Sequence, residues 1–148
     1  MRITAFLLIL LLSGCSKQSD CCTIIDTAVQ IHYVNASGEN LINSSEAFKE
    51  QNIKIYFRNG DEYEYAFQGN LDYPNMHYLS EGANGELILT VFPSNYYDGN
   101  LSTSLIEINE SIVDTLVCEF DLGSNKEICT KAWLNGAEMQ NRFIEVIK

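Results

Sequence analysis

The fold is decided by residues 112–134, IVDTLVCEFDLGSNKEICTKAWL, where two apolar runs flank a short polar stretch. β-branched and aromatic residues are frequent in both runs, and Gly123-Ser124-Asn125 between them is a turn-like sequence. This pattern is typical of two antiparallel strands joined by a tight loop. We therefore predict a β-hairpin formed by Ile112–Phe120 and Ile128–Leu134.

The length of the loop decides which residues of this hairpin face each other. A loop of four residues sets Cys118 directly opposite Cys129, which allows a cross-strand disulfide. A loop of three residues instead sets Phe120 opposite Ile128 and turns Cys118 inward and Cys129 outward. The disulfide favours the first register and apolar pairing favours the second, so both stay open.

Similar short runs recur along the rest of the chain, separated by turn-like segments that contain Gly. This spacing is typical of an all-β, antiparallel β-sandwich, here of about 7 to 9 strands. One or two helical turns are predicted over Ser44–Gln51, which Asn43 can cap. The other predicted strands are Thr27–Val34, Ile53–Phe57, Tyr63–Phe67, Met76–Leu79, Leu87–Phe92, Thr103–Ile108 and Phe143–Ile147.

The turn Asn59–Asp61 lets the register of a second hairpin be argued. Phe57 lies on the apolar face of its strand and needs an apolar residue opposite it. A loop of only the first two turn residues would set Phe57 against Glu62, whereas a loop of all three pairs it with Tyr63. We predict the three-residue loop, with its bulge.

An export signal precedes the predicted domain. Met1 and Arg2 are followed by the apolar run Ile3–Leu12 and then by Ser13-Gly14-Cys15. The run is too short to cross a hydrocarbon core of about 30 Å as a helix, and its basic start is typical of a signal peptide. The predicted organisation is a lipoprotein signal peptide over residues 1–14, a lipidated Cys15 with a linker over 15–25, and a single β-sandwich domain over 26–148.

The end of this signal, Leu12-Ser13-Gly14-Cys15, resembles the bacterial lipobox. The resemblance implies that the thiol of Cys15 takes a diacylglycerol, that the chain is cleaved before this residue, and that acyl chains such as palmitate then hold it. Several acyl chains, each contributing about 0.8 kcal/mol per buried CH₂, suffice for a lasting anchor. We expect the protein in the cell envelope, lipid-anchored to the outer membrane on its periplasmic or surface face.

The charge of the chain argues against a nucleic-acid partner. Nine Lys and Arg stand against 20 Asp and Glu, which gives a formal net charge of -11. Phosphate backbones and anionic lipid surfaces repel such a chain. We therefore expect no nucleic acid as a partner and a membrane contact that depends on the lipid at Cys15.

Four further cysteines, Cys21, Cys22, Cys118 and Cys129, are an even number in a compartment that permits disulfides. Either Cys118 and Cys129 bridge the hairpin, or Cys21 or Cys22 reaches one of its strands and ties the N-terminal segment to the domain. Zinc sites favour pairs spaced by two to four residues, which are absent here. We predict a disulfide and no metal at these residues.

No catalytic constellation stands out. His32 and His77 lie in different predicted strands, and the sequence has no nucleophile elbow, phosphate-binding loop or zinc-protease helix. We therefore predict a protein that is not an enzyme and has no cofactor. Oxygen ligands at Asp98–Asn100 and Asn70–Asp72 leave a structural calcium ion as an alternative.

Aromatic residues in a polar loop give the best functional indication. Tyr96, Tyr97 and Asp98 follow Pro93 and lie outside any alternating strand pattern. Exposed tyrosines bind sugars and peptides well, since the ring is apolar and the hydroxyl polar, but they can also fold back over the end of a sandwich. We name these three residues as candidate ligand-binding residues, and Trp133 as either core or an exposed platform.

Several segments carry a family resemblance: Cys21-Cys22, Ile25–Thr27, Gly38–Asn43, Ile53–Tyr56 and Trp133–Gly136. They resemble small lipoproteins of the Bacteroidota whose mature domain is a prealbumin-like or immunoglobulin-like β-sandwich. The resemblance covers nearly the whole mature chain and implies a fold without implying an active site.

These observations favour a non-catalytic, lipid-anchored binding module whose partner is an envelope protein or a glycan. Two alternatives remain. One is a periplasmic inhibitor or immunity-type protein, whose acidic surface would meet a basic enzyme. The other is a carboxylate-based hydrolase, which needs two acids about 5 to 10 Å apart in a cleft.

Overall fold

A computed structural model describes residues 22–148 of the chain. The predicted signal peptide over residues 1–14, the predicted lipidation site Cys15 and one of the predicted disulfide residues, Cys21, lie outside the described residues. Across residues 22–148 the chain forms eleven β-strands and two 3₁₀ turns, Glu46–Phe48 and Glu50–Asn52. Within the same residues no helix is long and apolar enough to cross a membrane.

All nine predicted strands are present, and two short strands, β1 and β10, add to them. The strands are β1 Ile24–Asp26, β2 Val29–Val34, β3 Lys54–Asn59, β4 Glu62–Tyr65, β5 His77–Glu81, β6 Leu87–Val91, β7 Leu101–Asn109, β8 Ile112–Gly123, β9 Lys126–Leu134, β10 Ala137–Glu138 and β11 Phe143–Ile147. Ile24 and Ile25 of β1 lie at the C-terminal end of the predicted linker over residues 15–25.

The strands form two sheets that enclose one hydrophobic core. The first sheet has the order β1-β9-β8-β7-β3-β4, with β10 also paired with β9, and the second has the order β11-β2-β6-β5. Ile31 and Leu89 of the second sheet belong to the same buried cluster as Ile106 and Leu116 of the first. The predicted all-β sandwich is confirmed.

The sheets are mixed rather than wholly antiparallel. β1 runs parallel to β9, and β11 runs parallel to β2, each at the edge of its sheet. Strands joined by a tight hairpin are necessarily antiparallel, whereas these two pairs join strands that are distant in sequence. The local pattern of the sequence does not reveal their direction.

The predicted helical segment is confirmed as two 3₁₀ turns, but its cap differs. Asn43 adopts a left-handed φ of 59° and accepts a hydrogen bond at Oδ1 from the backbone N–H of Glu50, at the start of the second turn (3.1 Å). Phe48 at the end of the first turn packs against Tyr33, with the ring centroids 5.8 Å apart. Burial of this ring and a hydrogen bond from the Asn109 amide to the carbonyl oxygen of Ala47 (3.3 Å) hold the segment on the sandwich.

The register of the β3–β4 hairpin differs from the prediction. Asn59 pairs with Glu62 across a two-residue turn, so Phe57 lies opposite Glu64. Gly60 takes a φ of 62° at the first turn position, which glycine adopts without steric cost. The three-residue loop is wrong because every residue of β4 is exposed, and Phe57 is buried in the shared core instead.

The β8–β9 hairpin adopts neither of the two registers considered. Gly123 pairs with Lys126 across a two-residue turn, and a bulge later shifts the register, so that Cys118 lies opposite Ala132 and Phe120 opposite Cys129. The bulge turns both cysteines inward, and both are buried. The outward-facing Cys129 of the three-residue loop is therefore wrong.

A buried carboxylate links the two sheets. Asp114 of β8 is 1% exposed, and its Oδ2 accepts a hydrogen bond from the Tyr33 hydroxyl of β2 (2.8 Å). Its Oδ1 accepts hydrogen bonds from the Asn135 amide (2.7 Å) and from the Lys148 ammonium group (2.5 Å). Burial, followed by the charge of Asp114, raises the pKa of Tyr33 well above its ordinary value, so the phenol stays a donor. The network joins β8, β2 and two further segments.

Replacing this carboxylate should cost more stability than replacing an exposed one. Asp114→Ala leaves the buried Tyr33 hydroxyl without a partner, also removes the acceptor of the partly exposed Lys148, and should lower the free energy of unfolding by about 3 kcal/mol. Asp121→Ala, which breaks the exposed pair with Lys126, should lower it by no more than about 1 kcal/mol. Urea unfolding monitored by circular dichroism measures both. Equal losses would mean that Asp114 is not what joins the sheets.

Candidate functional site

The segment from Pro93 to Asp98 crosses one end of the sandwich, from β6 of the second sheet to β7 of the first. Ser94 is buried, and its backbone N–H donates to Oγ of Ser104 (2.8 Å), while its own hydroxyl accepts from the backbone N–H of Tyr96 (3.0 Å). Asp98 and Leu101 exchange two backbone hydrogen bonds and close a tight turn. Both ends of the segment are therefore held.

The two predicted tyrosines have different environments. The Tyr97 ring packs edge-on against Phe120 (centroids 5.2 Å apart), and its hydroxyl donates to Oε1 of Glu127 (2.6 Å). Burial and this hydrogen bond raise the pKa of Tyr97. Tyr96 is 42% exposed. Tyr97 thus covers the end of the sandwich, while Tyr96 is available to a ligand.

All three candidate residues lie on one cleft, which we call the tyrosine cleft. It has a volume of about 670 Å³, within the range usual for small-ligand sites. The β3–β4 turn also lines this cleft, and there Arg58 Nε donates to the carbonyl of Gly60 (2.9 Å) and the guanidinium lies 3.9 Å from Asp61. The lining residues are Arg58, Asn59, Gly60, Asp61, Asn95, Tyr96, Tyr97, Asp98, Leu101, Thr103 and Val117.

A second cleft, which we call the aromatic cleft, lies on the other side of Asn95 and has a volume of about 410 Å³. Tyr73 is 44% exposed there, stacks on Tyr78 with the ring centroids 4.4 Å apart, and stacks on Phe92 at 5.8 Å. The lining residues are Ile25, Phe57, Gln68, Leu71, Asp72, Tyr73, Met76, Phe92, Pro93, Asn95 and Glu127. Asn95 lines both clefts, so the two are adjacent.

Sequence reasoning missed Tyr73 and Arg58. Tyr73 carries the same signal that singled out Tyr96, an aromatic residue in a polar loop with a neighbouring proline, Pro74. Arg58 had no such signal, because its place in the same cleft as Tyr96 depends on how the β3–β4 turn meets the loop that follows β6. Only the tertiary arrangement brings these groups together.

The histidines take no part in either cleft. Nδ1 of His32 lies 3.2 Å from Oε2 of Glu145, and Nδ1 of His77 lies 3.1 Å from the carbonyl oxygen of Asn75. Burial lowers the pKa of His77. Both rings pair with groups outside the clefts, so neither is positioned as a base for a ligand there.

The remaining candidate residues have structural surroundings. Trp133 is half-buried in β9 between Val117 of β8 and Glu138 of β10. Among residues 22–148, no three His, Cys, Asp or Glu side chains are close enough to hold a metal ion. The predicted calcium alternative at Asp98–Asn100 and Asn70–Asp72 therefore lacks a described carboxylate cluster.

The described cysteines fall into two groups. Cys22 is exposed and lies just before β1, whereas Cys118 and Cys129 are buried side by side. In residues 22–148 all three are free thiols. The partner of Cys22 stays a prediction, while the two buried thiols lie on the inner face of adjacent strands.

Comparison of the chain with protein-family models, curated proteins and solved structures found no match. The similarity to Bacteroidota lipoproteins stays a prediction from the sequence.

The different environments of the two tyrosines predict different effects on stability. Tyr97→Phe removes one hydrogen bond to a carboxylate and should lower the free energy of unfolding by about 1–3 kcal/mol. Tyr97→Ala also loses the packing on Phe120 and should cost roughly 2–4 kcal/mol. Tyr96→Ala should change it by less than about 0.5 kcal/mol. Denaturant unfolding separates these values, and a large loss in Tyr96→Ala would assign that ring to the core.

Proposed function

We propose that the protein is a lipid-anchored binding module of the cell envelope that holds a neutral glycan across the tyrosine cleft and the aromatic cleft. The observation that supports this most is the presence of two exposed aromatic rings, Tyr73 and Tyr96, on adjacent clefts that meet at Asn95. Each ring has polar side chains beside it in the same cleft.

The aromatic rings suit the apolar face of a sugar ring. A pyranose presents C–H groups on one face, which pack on a tyrosine while hydroxyl groups point outward to polar partners. Tyr73 is already stacked on Tyr78 and Phe92, so its ring loses little conformational freedom when a ligand binds. The ring is therefore a preorganised platform.

The polar residues of the clefts suit hydroxyl groups rather than anions. Gln68 and Asp72 flank Tyr73, and Asp98 lies beside Tyr96. Carboxylate and amide oxygens accept hydrogen bonds from hydroxyls, while the negative charge of the carboxylates repels a phosphate, sulfate or uronate. The cation that lines the tyrosine cleft, Arg58, lies beside Asp61. The formal net charge of -11 also disfavours an anionic ligand. A neutral, hydroxyl-rich ligand is favoured.

The proposed anchor would keep this site near the membrane. Ile25 of β1 lines the aromatic cleft. Even fully extended, the chain between Cys15 and Ile25 spans no more than about 36 Å. A module in this position would meet glycans close to the membrane surface rather than at a distance from it.

An inhibitor or immunity-type protein is the second candidate, and the net charge favours it. Its partner would be a basic enzyme, and attraction between opposite charges would make association fast and salt-dependent. A carboxylate-based hydrolase is the third candidate, because Asp72 and Glu127 line one cleft and Asp61 and Asp98 the other. One set of binding measurements distinguishes all three.

Binding of neutral oligosaccharides should depend on the cleft tyrosines. Isothermal titration of the full chain against a panel of neutral oligosaccharides should give saturable binding, which Tyr73→Ala and Tyr96→Ala each weaken at least tenfold, or about 1.4 kcal/mol. Tyr63→Ala is the matched control, because Tyr63 is also 42% exposed but lies on β4, outside both clefts. Its affinity should stay unchanged.

Three outcomes would contradict the proposal. Equal weakening by Tyr63→Ala would mean non-specific aromatic contact. Shortened oligosaccharides after incubation would indicate the hydrolase. A lack of glycan binding, together with capture of a basic protein that salt abolishes, would indicate the inhibitor.

The anchor itself is tested by Cys15→Ser, which removes the thiol that would take the lipid. Cells labelled with radioactive palmitate should incorporate label into the wild-type protein and none into the variant, and only the wild type should fractionate with outer membranes. Cys22→Ser is the matched control and should keep both label and membrane association. Palmitate in the Cys15→Ser protein would contradict the lipid assignment.

A further inference from the structure

The β-bulge on β9 places two cysteines together on the inner face of the first sheet. Before the bulge Glu119 pairs with Lys131, and after it Phe120 pairs with Cys129, so Thr130 is the extra residue. The Thr130 hydroxyl donates to the carbonyl oxygen of Glu119 (3.1 Å), which ties the bulge to β8. Because Cys118 lies opposite Ala132, Cys118 and Cys129 are diagonal neighbours on the same face.

The thiols of Cys118 and Cys129 are near neighbours on this face, and each changes the pKa of the other. Cys129 also donates to the carbonyl oxygen of Lys131 (3.4 Å). The interaction between the thiols lowers the pKa of Cys129 and, together with burial, raises that of Cys118, while the positive charge of Arg142 favours both thiolates. The two side chains therefore interact with each other in the reduced protein.

We propose that Cys118 and Cys129 form a disulfide between β8 and β9 by exchange with a low-molecular-weight disulfide or the disulfide of a thiol oxidoreductase. The thiolate of one of the two cysteines attacks one sulfur of the donor disulfide, forming a mixed disulfide and expelling one donor thiolate. The other cysteine then loses its proton and attacks the Sγ of the first, and the second donor thiolate leaves. The protein loses two protons and two electrons, and the donor gains them and is reduced to two thiols.

Burial of both thiols restricts when the thiol–disulfide exchange can happen. Cys118 is fully buried and Cys129 nearly so, and no donor disulfide can reach them in the folded sandwich. The exchange therefore takes place during folding or when β9 opens. This pairing excludes the alternative in which Cys21 or Cys22 reaches β8 or β9, and it is independent of the proposed glycan site.

Oxidative refolding of the full chain tests the pairing. The chain is unfolded with reductant, refolded in detergent with oxidised glutathione, blocked with an alkylating reagent, and digested for peptide mapping by mass spectrometry. We expect one cross-linked peptide that joins Cys118 to Cys129 and disappears after reduction. Cys22→Ser is the matched control and should give the same cross-link. Alkylation of both Cys118 and Cys129, or a link from either to Cys21 or Cys22, would overturn the proposal.

A second measurement does not depend on whether a core variant folds as well as the wild type. The denaturation midpoint of each protein is compared with and without reductant, so each protein serves as its own reference. The wild type and Cys22→Ser should both shift to a lower midpoint on reduction, whereas Cys129→Ala should show no shift. An equal shift in Cys129→Ala, or none in the wild type, would overturn the proposal.

Discussion

A carboxylate held between two β-sheets is the interaction on which the rest of this structure depends. An ionised Asp114 without partners would be costly in the interior, and it is compatible with folding because three donors from separate parts of the chain surround it. One donor is on the opposite sheet, one in the turn after β9 and one at Lys148. Since the Tyr33 hydroxyl comes from the opposite sheet, the network ties the two sheets together at this point.

The relative position of the two sheets determines where the candidate site lies. With the two sheets fixed, the chain must cross between them after β4 and again after β6, and both crossings lie beside the two clefts. The first crossing carries Tyr73, and the second carries Tyr96 and Tyr97. The two clefts are therefore formed by the loops that connect the sheets. Side chains in these loops need not alternate between inward and outward positions as they do in a strand.

One irregularity of the first sheet serves both the core and the site. The bulge on β9 turns Cys129 inward next to Cys118, and the residue it pairs with, Phe120, supports the Tyr97 ring. The Tyr97 hydroxyl donates to Glu127, which follows the β8–β9 turn. The Pro93–Asp98 segment therefore packs on this hairpin. The bulge, which the sequence pattern does not reveal, thus affects both the core and the surface.

The sequence by itself determined the fold class and the position of nine strands, because alternation of apolar residues and the placement of turn residues are local properties that each strand carries on its own. It also identified Tyr96, Tyr97 and Asp98, since an aromatic pair in a polar loop stands out from any strand pattern. Only the tertiary structure decided the registers of both hairpins, the parallel edge strands, the separate environments of the two tyrosines, and the positions of Tyr73, Arg58 and Asp114. The hairpin registers follow from the burial of Phe57 and from the bulge at Thr130, which outweigh the pairing that neighbouring residues prefer. The other features, such as the partners of the buried Asp114, depend on contacts between residues far apart in the chain.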